Sequence, residues 1–168
     1  SLKKSKARLL PVDSEHNALL QVILSSGLEY RINDKNYYKS KINNLTITAS
    51  GGPFLDLEIS EFKNIKSKHA IKHPTWNMGK KISVDSSTMM NKGLEIIEAK
   101  LLFNLDLENI NAIIHRQSKV HALVEFFDGS TIAHMAEPDM KIPISYSLTF
   151  PDRIYKSTSK KTSYDSLT

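Results

Sequence analysis

Two periods of hydrophobic and polar positions alternate along the chain and set its predicted elements. "RLLPV" (8–12) is a short apolar run and predicts a buried strand. In "SEHNALLQVILSS", Leu19, Leu20, Val22, Ile23 and Leu24 are dense enough for a helix, which Gly27 closes. Residues 31–44 are polar and turn-rich and read as a surface excursion. "NLTITAS" alternates with period two, predicting a strand that runs straight into "GGP". "LEISEFKNIKSKHAIK" is helical in part, and "HPTWNMGKK" (73–81) has Pro, Gly and no period, so it reads as a loop. The longest helical pattern is "DSSTMMNKGLEIIEAKLLFN", starting at Asp85 and Ser86 and placing Met89, Met90, Leu94, Ile97 and Leu101 along one face. "INAIIH" (110–115) and "VHALVEFF" (120–127) predict strands, and Asp128-Gly129 turns the second into "STIAHMA" (130–136) as a hairpin. "PDMKIPISYSLTF" (138–150) predicts a short helix interrupted by Pro143, after which the chain turns polar. The sum is an α/β (α+β) domain, a mixed sheet flanked by helices.

Composition narrows this picture only a little. At 168 residues a single domain is the default, and 40% hydrophobic residues suffice for a core. No apolar run approaches the roughly 20 residues of a membrane span, and "SLKKSKARLL" lacks the apolar core of a signal peptide. The absence of cysteine excludes disulfides, thiolate metal sites and thiol nucleophiles, and fits a reducing compartment. The net charge of +5 comes from lysines interspersed with Asp and Glu, which reads as a solvated surface rather than a nucleic-acid or membrane patch.

The candidate chemistry begins at Asp13-Ser14-Glu15, where a strand end meets a helix start. Two carboxylates and a hydroxyl suit a hard divalent cation. They equally suit a helix cap with an acidic first turn, and locally the cap is the simpler reading. Thr88, Asn91, Lys92 and Glu95 form a polar stripe on the long helix, where a Lys92–Glu95 pair reads as a solvated face and Met89 and Met90 as core. "TASGGPF" (48–54) sets Ser50 and two glycines after a strand, a turn that can cradle an oxyanion. "VDSSTMMNKG" places Ser86 at the predicted helix N-terminus, another anion-friendly position, with Lys92 as a nearby point charge. His73 and Trp76 sit on the Pro/Gly loop, which reads either as pinned to the core by Trp76 or as a lid over a ligand. His16, His69, His115, His121 and His134 show no metal-type spacing and read as structural, and no GxGxxG or GxxxxGK[ST] motif is present.

Taken in order, "LLPVDSEHNALLQ", "TASGGPF", "HPTWNMGKKISVDSSTMMNKGLEIIEA" and "EPDMKIPI" resemble the signatures of the 1-deoxy-D-xylulose 5-phosphate reductoisomerases. The resemblance runs from about residue 9 to 153. It implies conversion of 1-deoxy-D-xylulose 5-phosphate to 2-C-methyl-D-erythritol 4-phosphate in non-mevalonate isoprenoid biosynthesis. The chemistry implied is retro-aldol cleavage and re-aldol joining followed by NADPH reduction, with a divalent metal (Mn²⁺, Mg²⁺ or Co²⁺). It implies Asp13, Glu15 and Glu95 as metal ligands, and Ser14, Ser50, Ser86, Asn91 and Lys92 as substrate and phosphate contacts. His73 stands near the phosphate at the base of the loop, Trp76 and Met78 on the loop closing over substrate, and Pro138 against the nicotinamide. In this alignment Asn91 and Lys92 face the phosphate and Glu95 the metal. Thr75, Ser87 and Arg116 depart from the family pattern, none of them in the carboxylate set.

Members of the family are much longer, with a Rossmann domain for NADPH and a C-terminal helical domain. The expected organisation is therefore a linker or expression remnant at 1–8, the catalytic domain at 9–153, and a polar linker at 154–168. The other two domains are expected to lie outside the chain, which by itself is expected not to turn over. The resemblance further implies a homodimer through this domain, fosmidomycin-type inhibitors, and a bacterial cytoplasmic or plastid-type location. Two alternatives are a stand-alone metal-dependent phosphosugar lyase or isomerase, and a non-catalytic basic binding domain.

Overall fold

The structure, a computed structural model, describes residues 7–32, 34, 36–71 and 79–153. Helix α1 (Ser14–Ser25) leads through a turn-rich segment to β1 (Ile42–Ala49). A 3₁₀ turn (Ile59–Asn64) and the short α2 (Ser67–Ala70) precede α3 (Lys80–Ser87) and α4 (Met90–Phe103). Strands β2 (Ile110–Ile114), β3 (Val120–Phe126) and β4 (Thr131–Met135) follow, and α5 (Lys141–Thr149) ends the described chain. The sheet is mixed, in the order β2-β1-β3-β4. β1 pairs β2 in parallel, as the helical crossover between them requires, and pairs β3 antiparallel; β3 and β4 form the antiparallel hairpin expected at Asp128-Gly129.

The core lies between one face of this sheet and two helices. Ala18, Leu19, Val22 and Ile23 of α1 and Ala99, Leu102 and Phe103 of α4 meet Leu45, Ile47, Ile110, Ala122 and Val124 of the strands. Each such large side chain, fully buried, contributes about 1.5–3 kcal/mol. Residues 16–23 of α1 are all buried, so its polar members need partners. Asn17 donates to the Pro11 carbonyl (3.0 Å) and to Ser147 Oγ (3.2 Å), and Gln21 donates to Asn17 Oδ1 (2.7 Å). This network ties α1 to α5 and to the segment before it, and so fixes where α1 begins.

Several expectations are corrected. Residues 8–12 form no strand: Leu9 and Val12 are exposed, and the segment works through the Pro11 carbonyl. The 31–44 stretch is not all surface, because Tyr38 is buried, packs edge-on against Phe103 (6.0 Å between ring centroids) and donates to the Glu29 carbonyl (3.1 Å). The expected long helix is two helices, broken at Thr88-Met89, where Met89 takes a left-handed conformation (φ 60°). Ser86 therefore lies in the last turn of α3, not at a helix N-terminus. On α4 the buried face is also not the expected one. Met90, Leu94, Ile97 and Leu101 are exposed, from 48% at Leu94 to 63% at Leu101, whereas Lys92 and Glu95 are buried at 6% and 3%. Pro143 does not interrupt α5; it sits in the first turn, where its missing N–H leaves no bond unmade. Arg116, a departure from the family pattern, forms a two-pronged ion pair with Asp56 (2.7 and 2.6 Å).

Candidate metal and anion site

Eight of the sequence-predicted residues line one cavity of about 400 Å³: Asp13, Ser14, Glu15, Ser50, Ser86, Asn91, Lys92 and Glu95. Asp13 holds the N-cap position of α1, but its carboxylate makes no capping hydrogen bond. Asp13 thus takes the cap position and Glu15 the acidic first turn, as the capping reading expects, but without the side-chain cap bond. The backbone turn at Asp13 and the first turn of α1 instead bring Asp13 and Glu15 opposite Glu95 of α4. One carboxylate oxygen from each of the three lies within 4.8 Å of the others.

Lys92 reaches into this group. Its ammonium donates to Glu15 Oε1 (2.7 Å) and to Glu95 Oε2, and Asn91 Nδ2 donates to the other Glu95 oxygen. Ser14 donates to Glu15 Oε2 (2.6 Å). The Lys92–Glu95 pair expected on a solvated face is thus a buried ion pair, and Lys92 faces the carboxylates.

The electrostatics follow from burial and from one cation among three carboxylates. Burial pushes Glu15 up, but the Lys92 ammonium outweighs it and holds that carboxyl at about 2. Burial and the Glu15 charge push Asp13 up to about 7, and burial with Glu15 pushes Glu95 up to about 9. Burial pulls the Lys92 ammonium down, while Glu15 and Glu95 outweigh it and raise it overall. One ammonium does not neutralise the set, so ionisation of Asp13 and Glu95 is disfavoured. An all-oxygen set with this deficit of positive charge fits a hard divalent ion.

A buried histidine joins the two carboxylate-bearing helices. His16 Nε2 bonds the main-chain carbonyl of Glu95 (2.8 Å), so Nε2 carries the proton. Its Nδ1 then faces Asp13 Oδ2 (3.8 Å) and Glu98 Oε1 (3.9 Å).

Two turns in direct contact also line the cavity. Gly52 has φ 72°, and a Cβ there would stand 2.7 Å from the Ser86 carbonyl oxygen. Only glycine lets the "SGG" turn lie this close to the last turn of α3, and Ser50 and Ser86 of these two turns both line the cavity. Asn91 follows in the first turn of α4, whose free N–H groups favour an anion.

Thr48, Ile82, Met89, Ser118, His121 and Met140 also line the cavity, and sequence reasoning missed them as site residues. His121 is buried on β3, its Nε2 on the Ala136 carbonyl (3.2 Å), and burial keeps it neutral. The alternation of "VHALVEF" marks it as lying on one face of a strand but carries no signal of a cavity there. Pro138 is not among the lining residues; Met140, two residues on, is. His73, Trp76 and Met78 lie outside the described residues.

Residues 9–103 match the family model described as "1-deoxy-D-xylulose 5-phosphate reductoisomerase C-terminal domain". The chain belongs to the 1-deoxy-D-xylulose 5-phosphate reductoisomerase family. Two curated reductoisomerases show how closely. That of Clostridium botulinum (strain 657 / Type Ba4) is 50% identical over 151 residues, covering 90% of this chain and 36% of the relative. That of Clostridium tetani is 49% identical over 150 residues, covering 89% and 36%. The chain therefore spans little more than a third of these relatives. A solved reductoisomerase in complex with NADPH, fosmidomycin and magnesium superposes with a TM-score of 0.81 at 47% identity, covering 94% of this chain and 38% of that one. The Zymomonas mobilis enzyme in complex with NADPH gives 0.77 at 39% identity, covering 95% and 38%. The mixed sheet with its flanking helices is thus a reductoisomerase fold. No helix among the described residues is long and apolar enough to cross a membrane.

Proposed function

We propose that this chain forms the metal- and substrate-binding part of a reductoisomerase that converts 1-deoxy-D-xylulose 5-phosphate to 2-C-methyl-D-erythritol 4-phosphate. The observation that carries the reading is the convergence of Asp13, Glu15 and Glu95 in a cavity that Ser50, Ser86 and Asn91 also line. A sugar phosphate offers both kinds of group to such a lining: oxygens that chelate a cation, and a dianion. Asp13, Glu15 and Glu95 hold a divalent ion, Mn²⁺, Mg²⁺ or Co²⁺, which supplies Lewis-acid polarisation of carbonyl and hydroxyl oxygens when bound. Ser50, Ser86, Asn91 and Lys92 take the phosphate, and Ser14 turns its hydroxyl from Glu15 to the substrate. His73 is assigned to the phosphate and Trp76 and Met78 to the bound substrate, and Pro138 borders the nicotinamide. NADPH reduction is assigned to the whole protein, with 9–153 as its catalytic domain.

The likeness to a reductoisomerase solved with NADPH, fosmidomycin and magnesium supports this reading. So does the chemistry of the donor set. Pairing of two copies through this domain is part of the proposal, motivated by exposed Ile113 and Ile132 on the sheet, and light scattering tests it: a monomer at high concentration contradicts it. Calorimetric titration with Mn²⁺ and then fosmidomycin tests the site. The folded chain is expected to bind both, and Glu15→Gln and Glu95→Gln each to lose the metal. Unchanged Mn²⁺ affinity in either variant sinks the carboxylate set.

A further inference from the structure

Lys92 lies among the carboxylates of a cavity that Ser50 and Ser86 also line. We propose that Lys92 is an internal counter-ion that competes with the divalent ion for Glu15 and Glu95, and that an anion held in the same cavity by Ser50 and Ser86 draws it off, so that metal and phosphate-class ligands bind cooperatively. The inference rests on the carboxylate and phosphate reading above and adds the coupling between them.

The geometry forces the competition. The Lys92 ammonium lies 2.7 Å from Glu15 Oε1 and also bonds Glu95 Oε2. An ion bound to the same Glu15 oxygen at about 2.1 Å stands within roughly 4.8 Å of that ammonium, a cation against a dication in a buried site. Both cannot hold the carboxylates at full strength. Lys92 lines the same cavity as Ser50, Ser86 and Asn91, so its other available partner is an anion there. Asn91 carries the same link, since its amide now donates to Glu95 while its α4 neighbour Lys92 bridges both carboxylates. Moving the ammonium to the anion relieves repulsion at the carboxylates and supplies charge to the anion. Linkage makes the effect reciprocal: each ligand tightens the other by the same factor.

The sign of this effect separates it from simple damage. Loss of a structural residue weakens binding, whereas removing a competitor strengthens it. Mn²⁺ is titrated calorimetrically into the chain with and without saturating methylphosphonate, and into Lys92→Met, with folding checked by circular dichroism. Lys92→Gln, which keeps an N–H donor for the carboxylates, serves if the methionine variant does not fold. In the native chain methylphosphonate is expected to tighten Mn²⁺ by roughly 5–150-fold, the usual range for coupled sites. The folded variant is expected to bind Mn²⁺ tighter than the native chain without any phosphonate, and to show little further gain when it is added. A folded variant that binds Mn²⁺ no tighter, or one that keeps the full phosphonate effect, overturns the proposal, as does a native chain whose Mn²⁺ affinity ignores phosphonate. Those results leave the metal site standing. A native chain that binds no Mn²⁺ at all overturns both readings.

Discussion

Replacing Gly52 by alanine probes the contact between the "SGG" turn and the last turn of α3. Gly52 holds φ 72°, and the new Cβ would lie 2.7 Å from the Ser86 carbonyl oxygen and 3.2 Å from Ser87 Cα. Two costs add. A left-handed backbone costs an alanine about 1–2 kcal/mol. Forcing a methyl against backbone that must move costs about 1–3 kcal/mol more. Gly129→Ala isolates the first cost, because Gly129 holds φ 85° with nothing within 4 Å of its would-be Cβ. Gly52→Ala should therefore be less stable than Gly129→Ala by about 1–3 kcal/mol, or roughly 2–12 °C in Tm for a chain of this size. The displaced atoms belong to Ser86, so methylphosphonate affinity should fall while Mn²⁺ affinity holds. Thermal unfolding followed by circular dichroism on the three proteins reads the first effect and calorimetry the second. Equal melting of the two alanine variants would refute the claimed contact.

Three further outcomes follow from the geometry. Mn²⁺ should bind more tightly as pH rises from about 6 to about 9, because a bound ion displaces the protons that burial and Glu15 hold on Asp13 (about 7) and Glu95 (about 9); a pH-independent Kd contradicts this. A carboxyl raised in the folded state contributes stability that is present below its unfolded value of 4.5 and lost as pH rises through about 9. The metal-free chain should accordingly melt lower in alkaline than in mildly acidic solution, and Glu95→Gln should flatten that slope. On α4, Phe103→Ala should cost about 3–5 kcal/mol and exposed Leu101→Ala within about 0.5 kcal/mol; a reversed order in denaturant titrations would restore the face expected from sequence.

The parts of this fold legible in the sequence are those where one local signal decides. Gly27 stops α1, the period-two run "NLTITAS" makes β1, and Asp-Gly turns β3 into β4. The α4 face was misread because periodicity finds an apolar stripe without saying which side of the helix the sheet covers. Here the buried side combines Ala99, Leu102 and Phe103 with the ion pair of Lys92 and Glu95, and a charged pair reads from sequence as solvent-facing. The break at Met89 has no Gly or Pro to announce it. Tyr38 is buried by Phe103, sixty-five residues on, a contact no local window contains. The carboxylate set was legible through family resemblance, since Asp13 and Glu15 alone support a cap as readily. His121 and Ser118 were not legible, because only the sheet and the turn after β2 bring them to the cavity.

The most direct test of the central claim is the location of a bound ion. A crystal of the chain grown with Mn²⁺, with data collected for manganese anomalous scattering, should give a peak about 2.1–2.2 Å from oxygens of Asp13, Glu15 and Glu95. A peak elsewhere, or none at those three carboxylates in a crystal saturated with Mn²⁺, would contradict the account.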